Sequence, residues 1–205
     1  MQSLLIATRN QGKVREIESI LAGSGWAFTS LRSFPGVKET PAETGVTYAE
    51  NAILKARFYA LATGQCALAD DSGLEVEALG GAPGVYSARY AGAGASDADR
   101  RTLLLSELAK IPDANRRARF VSAVAISDAE GSVLNVSEGI CEGTIIFSPR
   151  GDGGFGYDPL FVPDGYTQTF AELSEDIKNR ISHRARALMK TGNFLSLLDH
   201  PQPDS

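Results

Sequence analysis

The order of structural elements near the start of the chain limits its fold more than any other feature. Leu4 to Ala7 form an apolar run that predicts a short buried strand, and Thr8 to Lys13 follow as a polar turn. From Val14 to Leu21, apolar residues recur at the spacing of a helix. A strand, a polar turn and a helix in this order predict an α/β fold.

The composition is that of a folded globular chain. Of its 205 residues, 43% are apolar and 22% are charged, which is sufficient for one core. We therefore expect a single domain over residues 1–198 and a frayed tail over residues 199–205. The apolar run near the start is too short for a signal peptide or a spanning helix, so a cytoplasmic protein without a membrane partner is expected. The net charge of −5 argues against nucleic acid as a partner.

Residues 8 to 13 form the first candidate site. A polar turn that opens a helix offers unpaired backbone N–H groups and the positive end of the helix dipole, and both suit phosphate. Lys13 in the first turn would add a full charge. The Walker spacing GxxxxGK[ST] is absent from the sequence, and an exposed turn with a solvated lysine explains the same residues.

Two adjacent carboxylates form the second candidate site. Asp70 and Asp71 follow the apolar residues 66–69, which predict a short buried strand that ends at this point. Adjacent carboxylates are costly to bury unless they bind a cation, meet a basic group or take part in proton chemistry. Open α/β sheets place ligands at the carboxyl ends of their strands, and only one member of such a pair need face the site. A turn in which the pair caps the next element is an equally good reading.

A glycine-rich segment from Gly153 to Pro159 forms the third candidate site. Glycines let the backbone approach a ligand closely, and the aromatic rings of Phe155 and Tyr157 offer faces on which a base can stack. The ordinary alternative is a β-turn with an apolar anchor.

Several isolated polar residues extend the set. Glu43, in a turn flanked by proline and glycine, could reach a metal ion. Lys178, His183 and Arg184 offer hydrogen-bond donors of different geometry, although such residues on a helix usually face solvent. A continuous helix would separate Lys178 and His183 by about 140°. If both reach one nucleotide, the helix should therefore break near Ser182.

The rest of the chain predicts an alternation of helices and strands. Thr47 and Glu50 form a capping-box pattern, which predicts a helix that reaches about Gly64. The other predictions are a loop over 80–94, a helix capped by Ser96 or Asp97 and closed by Pro112, strands over 118–126, 133–140 and 144–147, a loop over 148–157, and helical structure over 174–198.

Taken together and in order, the motifs resemble those of the inosine/xanthosine triphosphate pyrophosphatases. The resemblance runs from Leu5 to Arg184, through nearly the whole chain. The segments that carry it are Thr8-x-Asn10-x-x-Lys13, Glu43-Thr44-Gly45, Glu50-Asn51-Ala52, Leu68-Ala69-Asp70-Asp71-Ser72-Gly73-Leu74, the glycine-rich stretch 80–89, Gly154-Phe155-Gly156-Tyr157-Asp158-Pro159 and Ile181-Ser182-His183-Arg184.

The resemblance implies a long, mixed, curved central sheet flanked by helices, with two lobes and the active-site cleft between them, in a homodimer. It implies hydrolysis of inosine, deoxyinosine and xanthosine triphosphates to the monophosphate and pyrophosphate, which cleanses the nucleotide pool. Asp71 would be the general base and a ligand of Mg²⁺, with Glu43 or Asp70 as a further ligand. The residues implied to contact substrate are Thr8, Arg9, Asn10, Gln11, Gly12, Lys13, Ser72, Phe155, Gly156, Tyr157, Asp158, Lys178, His183 and Arg184.

These residue types suit the implied chemistry. Mg²⁺ prefers oxygen ligands and keeps waters, so one or two carboxylates and a triphosphate can complete its coordination. A purine with oxygen at position 6 accepts hydrogen bonds, whereas the amino group of adenine donates them. The donors of His183 and Arg184 are therefore expected to select the oxo purine.

Two other functions fit part of the pattern. The first is a related pyrophosphatase that prefers modified pyrimidines, and residues 155–158 and 182–184 argue against it. The second is a regulatory module that senses a purine without cleaving it. Glu43, Lys13 and Asp71 argue against that function, because sensing needs no base.

Overall fold

The computed structural model describes residues 2–111 and 115–199, and residue 199 is described by its backbone alone. Pro112 and residues 200–205 of the predicted tail lie outside this range. The strands are β1 (Ser3–Ile6), β2 (Ala27–Ser30), β3 (Ala67–Val76), β4 (Arg117–Ser127), β5 (Val133–Ile145) and β6 (Phe161–Pro163). The α-helices are α1 (Gln11–Ile20), α2 (Tyr48–Thr63), α3 (Asp97–Ala109), α4 (Glu175–Ile181) and α5 (His183–Asp199). Short 3₁₀ helices lie at Leu31–Ser33, Glu77–Leu79, Gly84–Arg89 and Asp158–Leu160.

The six strands form one mixed sheet in the order β2-β1-β3-β4-β5-β6. Strand β1 pairs in parallel with both β2 and β3, whereas β5 and β6 are antiparallel. This sheet with its helices confirms the predicted α/β class and the mixed sheet. In the described ranges, no helix is long and apolar enough to cross a membrane.

The chain divides into two compact units, each with its own core. Unit 1 comprises residues up to 71, residues 122–139 and residues from 184 onward, and its core includes Ile6, Ile17 and Leu188. Unit 2 comprises residues 72–121 and 140–183, and its core is rich in aromatic rings, with Phe120, Phe161 and Phe170 in mutual contact. Strands β3, β4 and β5 each contribute residues to both units. The single domain over residues 1–198 and the cleft between two lobes stay predictions.

The local helix signals were predicted well. Thr47 and Glu50 form both halves of the capping box, and Gly64 ends α2 in a left-handed conformation. Ser96, the first of the two candidates, caps α3 in the same way with Asp99. Helix α1 begins one turn earlier than predicted, at Gln11, because the side chain of Asn10 caps it.

Two predicted strand ends are wrong. Strand β3 continues through Asp70 and Asp71 to Val76, because both carboxylates meet basic groups inside the protein and need not turn to solvent.

The two strands predicted over 133–140 and 144–147 are a single strand, β5. Gly143 lies within this strand, where a Cβ would come within 2.3 Å of the Val162 carbonyl oxygen. The glycine therefore marks the close approach of β6 rather than a turn.

Candidate active site

Asp70 is the buried centre of a network in unit 1. Its Oδ2 lies 2.6 Å from the Lys13 ammonium, and its Oδ1 accepts a hydrogen bond of 2.5 Å from the Ser122 hydroxyl. The Arg184 guanidinium donates to both oxygens, from Nε at 3.3 Å and from Nη2 at 3.2 Å. Burial alone would raise the pKa of Asp70, but Arg184 and Lys13 hold it well below its usual range. Asp70 is therefore an ionised anchor for two cations.

Arg184 lies deep in unit 1, where 1% of the residue is exposed. Besides its two bonds to Asp70, it donates from Nη1 to the Glu16 carboxylate. In this structure these donors meet carboxylates, which balance the charge of a buried guanidinium. The assignment of Arg184 as a substrate contact stays a prediction, and the structure gives it a role in holding Asp70.

Asp71 pairs with a different lysine. Its Oδ1 lies 2.6 Å from the Lys55 ammonium, which also lies 3.2 Å from Oε1 of Glu43. The Asn51 amide donates to Asp71 Oδ2 at 3.4 Å. Burial raises the pKa of Asp71 despite the nearby Lys55, so this carboxylate accepts a proton more readily than Asp70 does. The alternation of side chains along β3 thus gives adjacent aspartates different surroundings.

Asn51 is held in place by a close backbone approach at Gly45. The Gly45 N–H donates to Asn51 Oδ1 at 2.8 Å, which leaves the amide nitrogen of Asn51 for Asp71. A Cβ at residue 45 would lie 2.8 Å from this oxygen and 2.7 Å from Glu50 Cβ. Glycine is required here because any side chain would push Asn51 away from Asp71.

The turn at residues 8–13 differs from the predicted phosphate cradle. The Asn10 side chain accepts hydrogen bonds from the backbone N–H groups of Gly12 and Lys13, at 2.8 and 3.2 Å. Thr8 Oγ1 accepts from the Asn10 N–H at 3.2 Å. These amides are therefore already paired, and the prediction of unpaired N–H groups at Gly12 and Lys13 is wrong. Any phosphate contact of this turn depends chiefly on side chains, above all on Lys13.

The glycine-rich loop in unit 2 surrounds a buried lysine. The Lys178 ammonium lies 2.7 Å from Asp158 Oδ2 and 4.8 Å from the centre of the Phe155 ring. Asp158 Oδ2 also accepts the Phe155 N–H at 2.8 Å. Asp158 thus holds the lysine and the loop together, and the half-buried Phe155 keeps part of its ring exposed.

Two predicted substrate contacts in unit 2 are buried. The Tyr157 hydroxyl donates to the Ser87 carbonyl at 3.0 Å, and the residue is 4% exposed. The His183 ring stacks on Phe120, with ring centres 4.6 Å apart and planes inclined by 10°. Neither ring offers an open face, and their contacts with substrate stay predictions, as do those of Gly156 and the half-buried Ser72.

The predicted break between Lys178 and His183 is confirmed. Helix α4 ends at Ile181, Ser182 is extended with φ −68° and ψ 160°, and α5 begins at His183. The break places consecutive residues in different surroundings: His183 packs in unit 2, and Arg184 lies in unit 1.

Sequence reasoning missed several residues that build these clusters. Lys55 and Asn51 were placed on one helical face, but a solvated face explained them equally well. Glu16 carried no distinguishing signal on α1. Helix α3 further anchors the glycine-rich loop around Gly156, because Asp97 accepts the Gly156 N–H and Arg101 donates to the Gly156 carbonyl, both at 2.7 Å. These partners are distant in sequence, so no local pattern points to them.

The fold and these clusters define an α/β protein in which buried carboxylates pair with lysines. The sequence model of the Ham1 family matches residues 4–194. A dITP/XTP pyrophosphatase from Desulforamulus reducens is 50% identical over 195 residues, which cover 95% of this chain and 96% of that protein. One from Mycobacterium bovis is 51% identical over 188 residues, covering 90% and 91%.

Solved structures agree with the sequence comparison. A HAM1 protein from Coxiella burnetii matches with a TM-score of 0.86 at 41% identity, covering 96% of this chain and 99% of that one. A nucleoside-triphosphatase / dITP/XTP pyrophosphatase from Mycobacterium abscessus matches with a TM-score of 0.72 at 44% identity, covering 93% and 98%. This protein belongs to the Ham1 family.

Proposed function

We propose that this protein hydrolyses non-standard purine nucleoside triphosphates, namely dITP, ITP and XTP, to the monophosphate and pyrophosphate. The observation that carries the proposal is the convergence of Asp71 and Glu43 on one cation, Lys55, with Lys13 held by the neighbouring Asp70. Relatives that share about half of the sequence are named dITP/XTP pyrophosphatase, which supports the same substrates here. We also expect a cytoplasmic homodimer without nucleic-acid or membrane partners.

Glu43 and Asp71 are the residues that fit a magnesium ion. Their oxygens already lie within 3.2 Å of one ammonium, so both carboxylates point to one cationic position. Asp70 fits less well, because its side chain is fully buried and two cations, Lys13 and Arg184, already balance its charge, whereas Asp71 and Glu43 share Lys55. Among the described residues, no group of three or more His, Cys, Asp or Glu could hold a metal. Two carboxylates still suffice, since Mg²⁺ usually completes its coordination with waters and phosphates.

Asp71 is proposed to be the general base. When Mg²⁺ is bound, it offsets the charge of the phosphates and lowers the pKa of a nearby water. Burial raises the pKa of the Asp71 carboxylate above its ordinary value, which favours its acceptance of the proton of that water. Lys55, 2.6 Å away, then holds the carboxylate in one orientation.

The lysines are proposed to bind the phosphates. Lys13 is fixed by Asp70 and Lys178 by Asp158, each at 2.7 Å or less. A lysine held by a buried carboxylate is already oriented and can stabilise the charge that develops on the leaving pyrophosphate. Phe155 is proposed to stack on the base, and the donors of His183 and Arg184 to bind the oxygen at position 6.

Magnesium dependence tests this arrangement. Release of pyrophosphate from dITP is expected to require Mg²⁺ and to stop on chelation. Glu43→Gln should raise the Mg²⁺ concentration for half-maximal activity by about tenfold or more, because it removes one charged ligand. Initial rates measured over a Mg²⁺ series provide the comparison.

The matched control is Glu39→Gln, because Glu39 is exposed and lies only four positions away. This variant should keep the wild-type Mg²⁺ dependence. Full activity after exhaustive chelation, or the same Mg²⁺ dependence in both variants, would exclude Glu43 as a ligand.

A further inference from the structure

A groove in unit 1 lies beside the turn at residues 8–11. One wall comes from Thr8, Arg9 and Gln11, and the other from residues 30–38, which follow β2. The cavity volume is about 470 Å³, which falls within the range of about 300–1,000 Å³ typical of small-molecule sites. None of the roles proposed above uses residues 30–38.

The charge of the groove has one sign. Its ionisable lining residues are Arg9, Arg32 and Lys38, and no Asp or Glu lines it. No carboxylate in the described ranges pairs with any of the three cations. On a chain with a net charge of −5, three uncompensated cations around one cavity create a local positive potential that attracts anions.

Arg9 stiffens the groove. Its Nη2 donates to the carbonyl oxygens of Val37 and Lys38, at 2.7 and 3.1 Å. These bonds tie the second wall to the turn at residues 8–11, so the cavity is already formed without a ligand. Nε and Nη1 of Arg9 make no hydrogen bond within the described part of the chain, which leaves donors for an anion.

The chemistry of the lining selects the class of anion. Guanidinium groups bind phosphate oxygens through paired N–H donors, and an ammonium group adds a compact charge. Three cations suit an anion with several charges spread over linked groups rather than a single carboxylate. The apolar side chains of Leu31, Phe34 and Val37 complete the lining.

We propose that Arg9, Arg32 and Lys38 form an oligophosphate-binding groove distinct from the Asp71 cluster. The nearest source of such an anion is the pyrophosphate released by hydrolysis, and this part of the proposal rests on the proposed function. Free inorganic pyrophosphate is the same anion and can therefore serve as the probe. The groove gives the product a second binding position beside the turn that contains Lys13.

The test is calorimetric titration of the full chain with inorganic pyrophosphate, without nucleotide. The double variant Arg32→Glu/Lys38→Glu is compared with Arg15→Glu/Arg57→Glu, which changes the net charge equally at two exposed arginines of unit 1 outside the groove. At concentrations that saturate the wild type, the groove variant should bind one pyrophosphate fewer per chain, whereas the control should bind as many as the wild type.

The same number and affinity of bound pyrophosphate in both variants would overturn the proposal. Because the titration involves no turnover, a loss confined to the groove variant supports the groove even if the wild type fails to hydrolyse dITP. A second comparison tests whether pyrophosphate in the groove affects turnover. If the groove holds the released product, inhibition of dITP hydrolysis by added pyrophosphate should weaken in the groove variant and stay unchanged in the control.

Discussion

Replacement of Asp71 by asparagine is expected to lower kcat for dITP by at least about a hundredfold, because it removes the general base. The amide has the same shape as the carboxylate and can still face Lys55, which keeps its contact with Glu43. Unfolding temperature and dITP binding should therefore change far less than the rate. Steady-state kinetics, thermal unfolding and a binding titration on the same preparation separate these quantities.

The matched control for this variant is Asp164→Asn, the same chemical change in the exposed ion pair with Arg117 in unit 2. Its kcat should equal that of the wild type. A purified Asp71→Asn protein that keeps a near-normal kcat would show that another group accepts the proton.

Asp70→Asn is expected to lower the free energy of unfolding by about 3–5 kcal/mol. The carboxylate is fully buried and balances Lys13 and Arg184 together. An amide can keep the bond to Ser122, but it carries no charge, so Lys13 and Arg184 lose the carboxylate that balances them. Urea denaturation of the variant and the wild type measures the difference.

Asp164→Asn again supplies the comparison, because about half of each side chain in its ion pair is exposed to solvent. An exposed pair of this kind contributes about 0–1 kcal/mol. If Asp70→Asn destabilised the protein no more than this control does, Asp70 would not be the buried anchor that the geometry indicates.

Helix ends were predictable because their signals are local. Thr47 and Glu50 satisfy each other's backbone groups within one turn, so the sequence contains the whole interaction. The break at Ser182 was predicted on the condition that Lys178 and His183 reach one nucleotide, because they could not lie on one face of a straight helix. The capping box, in contrast, required no knowledge of tertiary contacts.

The arrangement around the two aspartates was less predictable because its contacts are distant in sequence. Arg184 and Asp70 lie 114 positions apart, so no local pattern predicts their pairing. The continuation of β3 depends on the same pairing, since an aspartate can remain in a buried strand only when a cation meets it. The sequence singled out Asp70, Asp71 and Arg184, but it could not say which carboxylate would meet which cation.

The products of hydrolysis provide the most direct test of the proposed function. Purified protein incubated with dITP and Mg²⁺, and followed by phosphorus NMR, should give dIMP and pyrophosphate in equal amounts. Orthophosphate should be absent, and dATP should react far more slowly under the same conditions. Release of orthophosphate with dIDP, or equal rates for dITP and dATP, would contradict cleavage between the α and β phosphorus atoms of non-standard purine triphosphates.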